Sequence, residues 1–185
     1  MRRTTLWITL GLMTLGVPVN ADTRATFDVR LLGLTLGQMQ INGDERDGAY
    51  AVSSAFATTG LGRMARASFT LTAQGRIKGG ALSPLRYNEQ IDTGDRQSTA
   101  QLSYRNGMPR ITGGSVLEKV EGDADALNAA DQGGTLDPLS ALYTALRDQP
   151  RANLCRVDVL VFDGQRRSRI QATGRSENGD EVTCA

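Results

Sequence analysis

The residues able to do chemistry are few in this chain. It has no histidine, and its one tryptophan is Trp7. A histidine-free chain builds no Ser-His-Asp or Cys-His relay, no histidine-ligated zinc or copper site and no histidine pH switch. Serine nucleophiles fare no better. There is no G-x-S-x-G elbow and no Ser-x-x-Lys motif, and Gly113-Gly114-Ser115 reads as a glycine-rich turn. Paired carboxylates could serve glycoside chemistry, but Asp92 and Asp95 flank Gly94 in what reads as a hairpin loop, where turn chemistry accounts for them. Asp123, Asp125 and Asn128 hint at a calcium loop. Leu127 then stands at the fifth ligand position and Asn128 where glycine is needed, so a solvated acidic loop is the better reading. No metal, no cofactor and no catalytic constellation is expected, and a hydrolase is the least favoured function.

Two candidate binding sets remain. Arg167 and Arg169 share one face of a strand after Asp163-Gly164, with Arg166 on the other, and could fork onto a carboxylate or phosphate. The plainer reading is a solvated hairpin face. An apolar concavity lined by Tyr50, Phe56, Phe69, Leu71, Tyr87 and Tyr104 could hold a lipid-sized ligand if left open, and is simply core if filled.

The elements that must position these residues are mainly strands. Asp47-Gly48, Asn106-Gly107, Asp163-Gly164 and Asn178-Gly179 lie between extended segments and tolerate the positive φ of type I′ turns. Phe27, Val29 and Leu31 alternate with polar residues. So do Phe69, Leu71 and Ala73, then Ala100, Leu102 and Tyr104, then Val157, Val159 and Val161. Tyr50, Val52 and Phe56 alternate with small residues, and Leu85, Tyr87 and Ile91 lie on one face. Period two with local turns implies an antiparallel meander. The apolar phase switches near Gly33 and Gly37, as one long, bent first strand would require.

One helix is expected near residues 137–148. Asp137 caps it, Pro138 suits its first position, and Leu139, Leu142, Tyr143 and Leu146 form a stripe, with Arg147 near the end favouring the dipole. Glu118 to Gly134 reads as a surface loop. The fold class is mainly β (α+β): a curled antiparallel meander forming an open or partial barrel with the helix against it, a two-sheet sandwich being the alternative.

The N-terminus reads as an export signal. Arg2 and Arg3 precede twelve apolar residues, Leu6 to Val17, and Val19-Asn20-Ala21 supplies the small residues for cleavage after Ala21. Twelve residues do not span a bilayer, which takes about 20. The expected mature chain, residues 22–185, is a single periplasmic domain without a transmembrane segment. It carries 19 basic against 20 acidic residues, a balance that argues against nucleic acid as partner. Cys155 and Cys184 are placed by an oxidising compartment to form a disulfide, the alternatives being free thiols or an intermolecular bridge. If the bridge forms, residues 175–184 are not a plain third hairpin strand, because that register leaves the cysteines about 9.5 Å apart.

Five stretches then stand in a telling order: F-D-V-R-L-L-G-L-T-L-G from Phe27, Tyr50-Ala51-Val52, L-S-P-L-R-Y from Leu82, D-P-L-S-A-L from Asp137, and V-F-D-G-Q-R-R from Val161. Together they resemble the bacterial domain of unknown function 3108 family. The resemblance implies an exported proteobacterial envelope protein with a mainly antiparallel β fold. It supplies no reaction and no catalytic residues. The favoured function is a non-enzymatic binder or carrier of an apolar or lipid-like ligand. The alternative is a structural module that binds another envelope protein through a sheet edge or loops.

Overall fold

In the computed structural model, residues 21–59, 67–172 and 174–184 are described. The candidate leader lies outside them, apart from Ala21 at its boundary. Seven strands form one antiparallel sheet in strict sequence order: β1 (Ala21–Leu31), β2 (Leu34–Arg46), β3 (Ala49–Thr58), β4 (Ser68–Lys78), β5 (Ala81–Asp92), β6 (Gln97–Arg105) and β7 (Met108–Gly113). The sheet is an open meander, with β1 and β7 as its edges and no closure into a barrel. Two hairpins stand apart from it, β8 (Asp158–Phe162) with β9 (Arg167–Gln171), and β10 (Arg175–Asn178) with β11 (Glu181–Cys184).

The turns set this order. Asp47-Gly48 and Asn106-Gly107 take positive φ at both central positions, as type I′ hairpins demand. The same signature at Leu32-Gly33 corrects the single bent first strand: the phase switch is a two-residue turn, so two strands run where one was expected. A register shift between Val29 and Arg30 adds a bulge just before it. The last hairpin turns on Gly179-Asp180, one residue beyond the expected dipeptide, since Asn178 pairs with Glu181.

Among the described residues two α-helices are present where one was expected. α1 (Ser115–Glu121) begins inside the stretch read as a turn and then a loop. It carries one buried residue, Val116, too little for a visible stripe, and is fixed instead by Ser115, whose backbone N–H donates to Thr99 Oγ1 at 2.9 Å while its Oγ accepts from the Thr99 N–H at 3.0 Å. α2 (Pro138–Leu146) is the expected helix, capped by Asp137. Among the described residues no helix is long and apolar enough to cross a membrane.

α2 packs on one face of the sheet, against β3, β4 and β5, and is backed by β8. Leu139 and Tyr143 are fully buried, while Leu142 and Leu146 are half-buried at the margin of the core. Arg147 is the C-cap rather than part of the last turn, and it ties the helix end to β2 through Glu45 at 3.2 Å and to the β4–β5 turn through the Gly80 carbonyl. β8 crosses beside the start of α2: the Leu136 N–H donates to the Leu160 carbonyl at 2.8 Å and the Phe162 N–H to the Leu136 carbonyl at 2.9 Å, which drives Phe162 into the core.

Cys155 and Cys184 are bridged, with Cα atoms 5.1 Å apart. As the register argument required, residues 175–184 form a separate hairpin. The bridge and two arginines hold it: Arg151 and Arg175 both reach Glu177, and Arg175 also donates to the carbonyls of Arg151 and Leu154.

Close packing of α2 depends on missing side chains. A Cβ at Gly43 would lie 2.4 Å from the Tyr143 ring, and one at Gly75 would lie 2.6 Å from the Tyr50 ring. The two rings stack at 6.3 Å. Gly43→Ala is therefore expected to lower stability by roughly 1–3 kcal/mol through overpacking. In a Tyr143→Leu background most of that cost should vanish. Denaturant unfolding of the single and double variants checks this coupling, and additive costs would refute it.

Candidate functional site

The start of α2 gathers the most unusual chemistry in the described chain. Asp137 Oδ1 accepts from the Ser140 N–H at 2.8 Å, and Oδ2 accepts from the Ser140 hydroxyl at 2.6 Å. Because that hydroxyl hydrogen is committed to Asp137, the Tyr50 hydroxyl donates to Ser140 Oγ, 2.6 Å away. The result is a tyrosine–serine–carboxylate chain joining β3 to the helix cap. Burial pushes the Asp137 carboxyl up to about 6, against the opposing pull of its Ser140 hydrogen bonds. Burial also raises the Tyr50 hydroxyl, as does the nearby Asp137 charge. All three residues are buried, Asp137 and Ser140 completely. No substrate reaches this serine, so the chain works as a fastener between helix and sheet. Its signal in the sequence is the D-P-L-S spacing, a cap residue with a hydroxyl three positions on.

The helix-side face of the sheet divides into rows by strand register. Gly43, Val52, Ala73, Tyr87 and Leu102 align across β2–β6 and are covered by α2 and Phe162. The next row runs Ile41, Ser54, Leu71, Glu89 and Ala100. The row after that, Phe27, Met39, Phe56, Phe69 and Ile91, crosses β1–β5 and is only half-buried. Phe56 and Phe69 stack at 5.2 Å outside the buried core. Four strand spacings make this apolar row about 19 Å long. Beside it are two polar groups. Ser54 Oγ is buried without a hydrogen-bond partner in the described structure. The Glu89 carboxyl accepts from the Tyr87 hydroxyl and is raised by burial, with the Asp163 carboxylate adding to the effect.

The predicted lining residues thus fall in two places. Tyr50, Tyr87 and Tyr104 lie in the core with α2 and Phe162, whereas Phe56, Phe69 and Leu71 lie on the partly covered end of the same face. Arg167 and Arg169 stand on β9, in a separate hairpin. Arg169 forks onto Asp158 with two contacts of 2.6 Å, and Arg167 is exposed. The other candidates serve local geometry. Asp92 accepts from the Gly94 N–H and from Gln97, Asp123 from the Asp125 N–H, and Asn128 from the Ala130 N–H. Among the described residues no cluster of carboxylates or cysteines could hold a metal ion.

The buried carboxyl of Asp137 sets a pH dependence. Its pKa is 3.8 when exposed and about 6 in the fold, so between these values the folded state holds the extra proton. Stability therefore falls as pH rises through that window and levels off above it, by roughly 2–3 kcal/mol. Asp137→Asn keeps a capping oxygen without a charge. It should flatten the dependence measured by denaturant unfolding at pH 4 to 7, and an unchanged slope would refute the assignment.

Searches of curated proteins and of solved structures return no match. The profile of a family described as "Protein of unknown function (DUF3108)" matches residues 26–181, from the first sheet strand into the last hairpin. That span takes in all five stretches noted in the sequence. The chain belongs to the DUF3108 family.

Proposed function

We propose that this chain is an exported envelope protein that binds an apolar, lipid-like ligand on the half-buried end of the helix-side face. One observation carries the reading: the row Phe27, Met39, Phe56, Phe69 and Ile91 is aligned across five strands yet only half-buried, beyond the part of the face that α2 occupies. An apolar stripe of that length fits an extended hydrocarbon chain. The proposed setting is the periplasm of a proteobacterium, after cleavage following Ala21. Two features support it: the leader pattern and the Cys155–Cys184 bridge.

A second reading is an interaction module. It is favoured by the β1–β2 turn, where Leu32 is 95% and Leu34 60% exposed at the edge of the sheet. A partner's apolar surface would cover these two residues without touching the aromatic row, so the two readings separate by mutation.

Native mass spectrometry of protein taken from periplasm, with lipid extraction, is expected to find a stoichiometric lipid. An apolar naphthylamine fluorophore should bind the stripped protein. Phe56→Asn with Phe69→Asn should weaken that binding at least about tenfold, from lost apolar contact, while Leu32→Ser with Leu34→Ser leaves it unchanged. A clean apo mass together with no fluorophore binding would sink the ligand reading. Intact mass of the same sample tests export: the expected first residue is Asp22, and a chain retaining Met1 would contradict it.

A further inference from the structure

The face of the sheet opposite α2 is charged unevenly. Along β4–β7 the outward positions carry five cations, Arg76, Lys78, Arg86, Arg105 and Arg110, against one carboxylate, Asp92, at the far end. The four arginines are exposed, and none forms an ion pair among the described residues. Asp131, on the short 3-10 turn packed against β7, does not neutralise them either. Arg30, Arg46, Arg147, Arg151, Arg169 and Arg175, none of them on these four strands, each hold a carboxylate. The near-zero net charge thus hides a segregated cationic face.

That face is grooved. β3 points Ala49, Ala51, Ser53, Ala55 and Ala57 outward, a low floor between the longer side chains of β2 and β4. A trough of about 470 Å³ runs over it toward Arg86, walled by Asn42, Thr72, Gln74 and Asn88, with Asp22 and the Arg46-paired Asp44 at its β1–β2 side. A second of about 380 Å³ shares Asp44, Ala51 and Gln74 with it and reaches Arg76. A third of about 410 Å³ holds Arg105 and Arg110. We propose that this grooved face binds an extended polyanion, a chain bearing repeated carboxylate or phosphate groups, with Arg76, Arg86, Arg105 and Arg110 as its charge contacts.

Geometry selects a chain over a flat surface. Arg86 and Arg110 both sit across from Ser103 on its two sides, so they are two strand spacings, about 10 Å, apart. Twist rotates each strand by about 20–25° from its neighbour. Arginines spread over β4–β7 therefore follow a turning line, which a flexible polymer tracks and a plane touches at one or two points. Planar guanidinium forks suit carboxylate and phosphate alike, and the neutral amides and hydroxyls of the troughs can donate to the same oxygens. Leu85 and Met108, each 42% exposed among these arginines, are the feature a bilayer would use instead, which makes vesicles the necessary comparison. The inference stands apart from the apolar row, which lies on the other face.

The test is titration of the purified protein with inorganic polyphosphate, with polygalacturonate, and with phosphatidylglycerol–phosphatidylcholine vesicles. Binding of either polymer, weakening as salt rises from about 50 to 200 mM, is the expected result, and the polymer preferred identifies the anionic group. Arg76→Gln/Arg86→Gln/Arg110→Gln should weaken it more than about tenfold. Arg96→Gln/Arg156→Gln/Arg166→Gln, which removes the same charge from turns and loops, should leave it within about twofold. All six positions are exposed, so the variants fold. No polymer binding, equal losses in the two triple variants, or binding to vesicles alone would overturn the proposal.

Discussion

The seat of α2 on the sheet is the constraint on which the other features rest. A nine-residue helix is too short to be stable alone, so its order comes from what it packs against. Two contacts fix it. The Tyr143 ring occupies the space over Gly43 that any Cβ would fill, and the Tyr50–Ser140–Asp137 chain locks the first turn to β3. Each needs the other, because the ring stacking of Tyr50 and Tyr143 places the Tyr50 hydroxyl where Ser140 can accept from it. Arg147 fastens the far end. With the helix held at both ends, its position along the strands is set, and so is the portion of the apolar face it leaves uncovered.

Burying a carboxyl there is costly, and the upward shift of Asp137 measures that cost. A neutral cap would avoid it. The carboxylate offers two acceptor oxygens, and both are used by one residue, Ser140, through its N–H and its hydroxyl. That doubled contact fixes the Ser140 rotamer and so aims its lone pair at Tyr50. Charge here is exchanged for orientation, in the way buried polar groups specify one packing over others.

Much of the fold was legible because it rests on local rules. Alternation gave the strands, Asp47-Gly48 and Asn106-Gly107 gave their turns, and D-P-L-S-A-L gave the helix with its cap. Failures occurred where tertiary contact overrides local preference. Leu32 takes positive φ beside Gly33, a conformation that leucine does not advertise, so two strands looked like one. α1 is set by the Ser115–Thr99 exchange, sixteen residues apart, and shows little amphipathic pattern. The site residues divided for the same reason. Tyr50, Tyr87 and Tyr104 share a face with Phe56 and Phe69, and period-two reading locates that face without saying how far along it the helix reaches. The cationic face is not legible in the sequence because Arg76, Arg86, Arg105 and Arg110 are scattered over thirty-five residues and converge only through register.

β3 ties the two faces together. Inward it carries Tyr50, Val52, Ser54 and Phe56: the first anchors the helix cap, the second lies under the helix, and the last joins the half-buried aromatic row. Outward it carries alanines and Ser53, whose small size lowers the floor of the grooved face. Because side chains alternate strictly, a slip of one residue in its pairing would send every large residue to the groove and every alanine to the core. The size alternation of this one central strand therefore enforces the register. The register in turn aligns the aromatic row on one face and brings the arginines of β4–β7 into line on the other. Both proposed surfaces are consequences of the same pattern, which is why a chain so poor in catalytic residue types still has two chemically distinct faces.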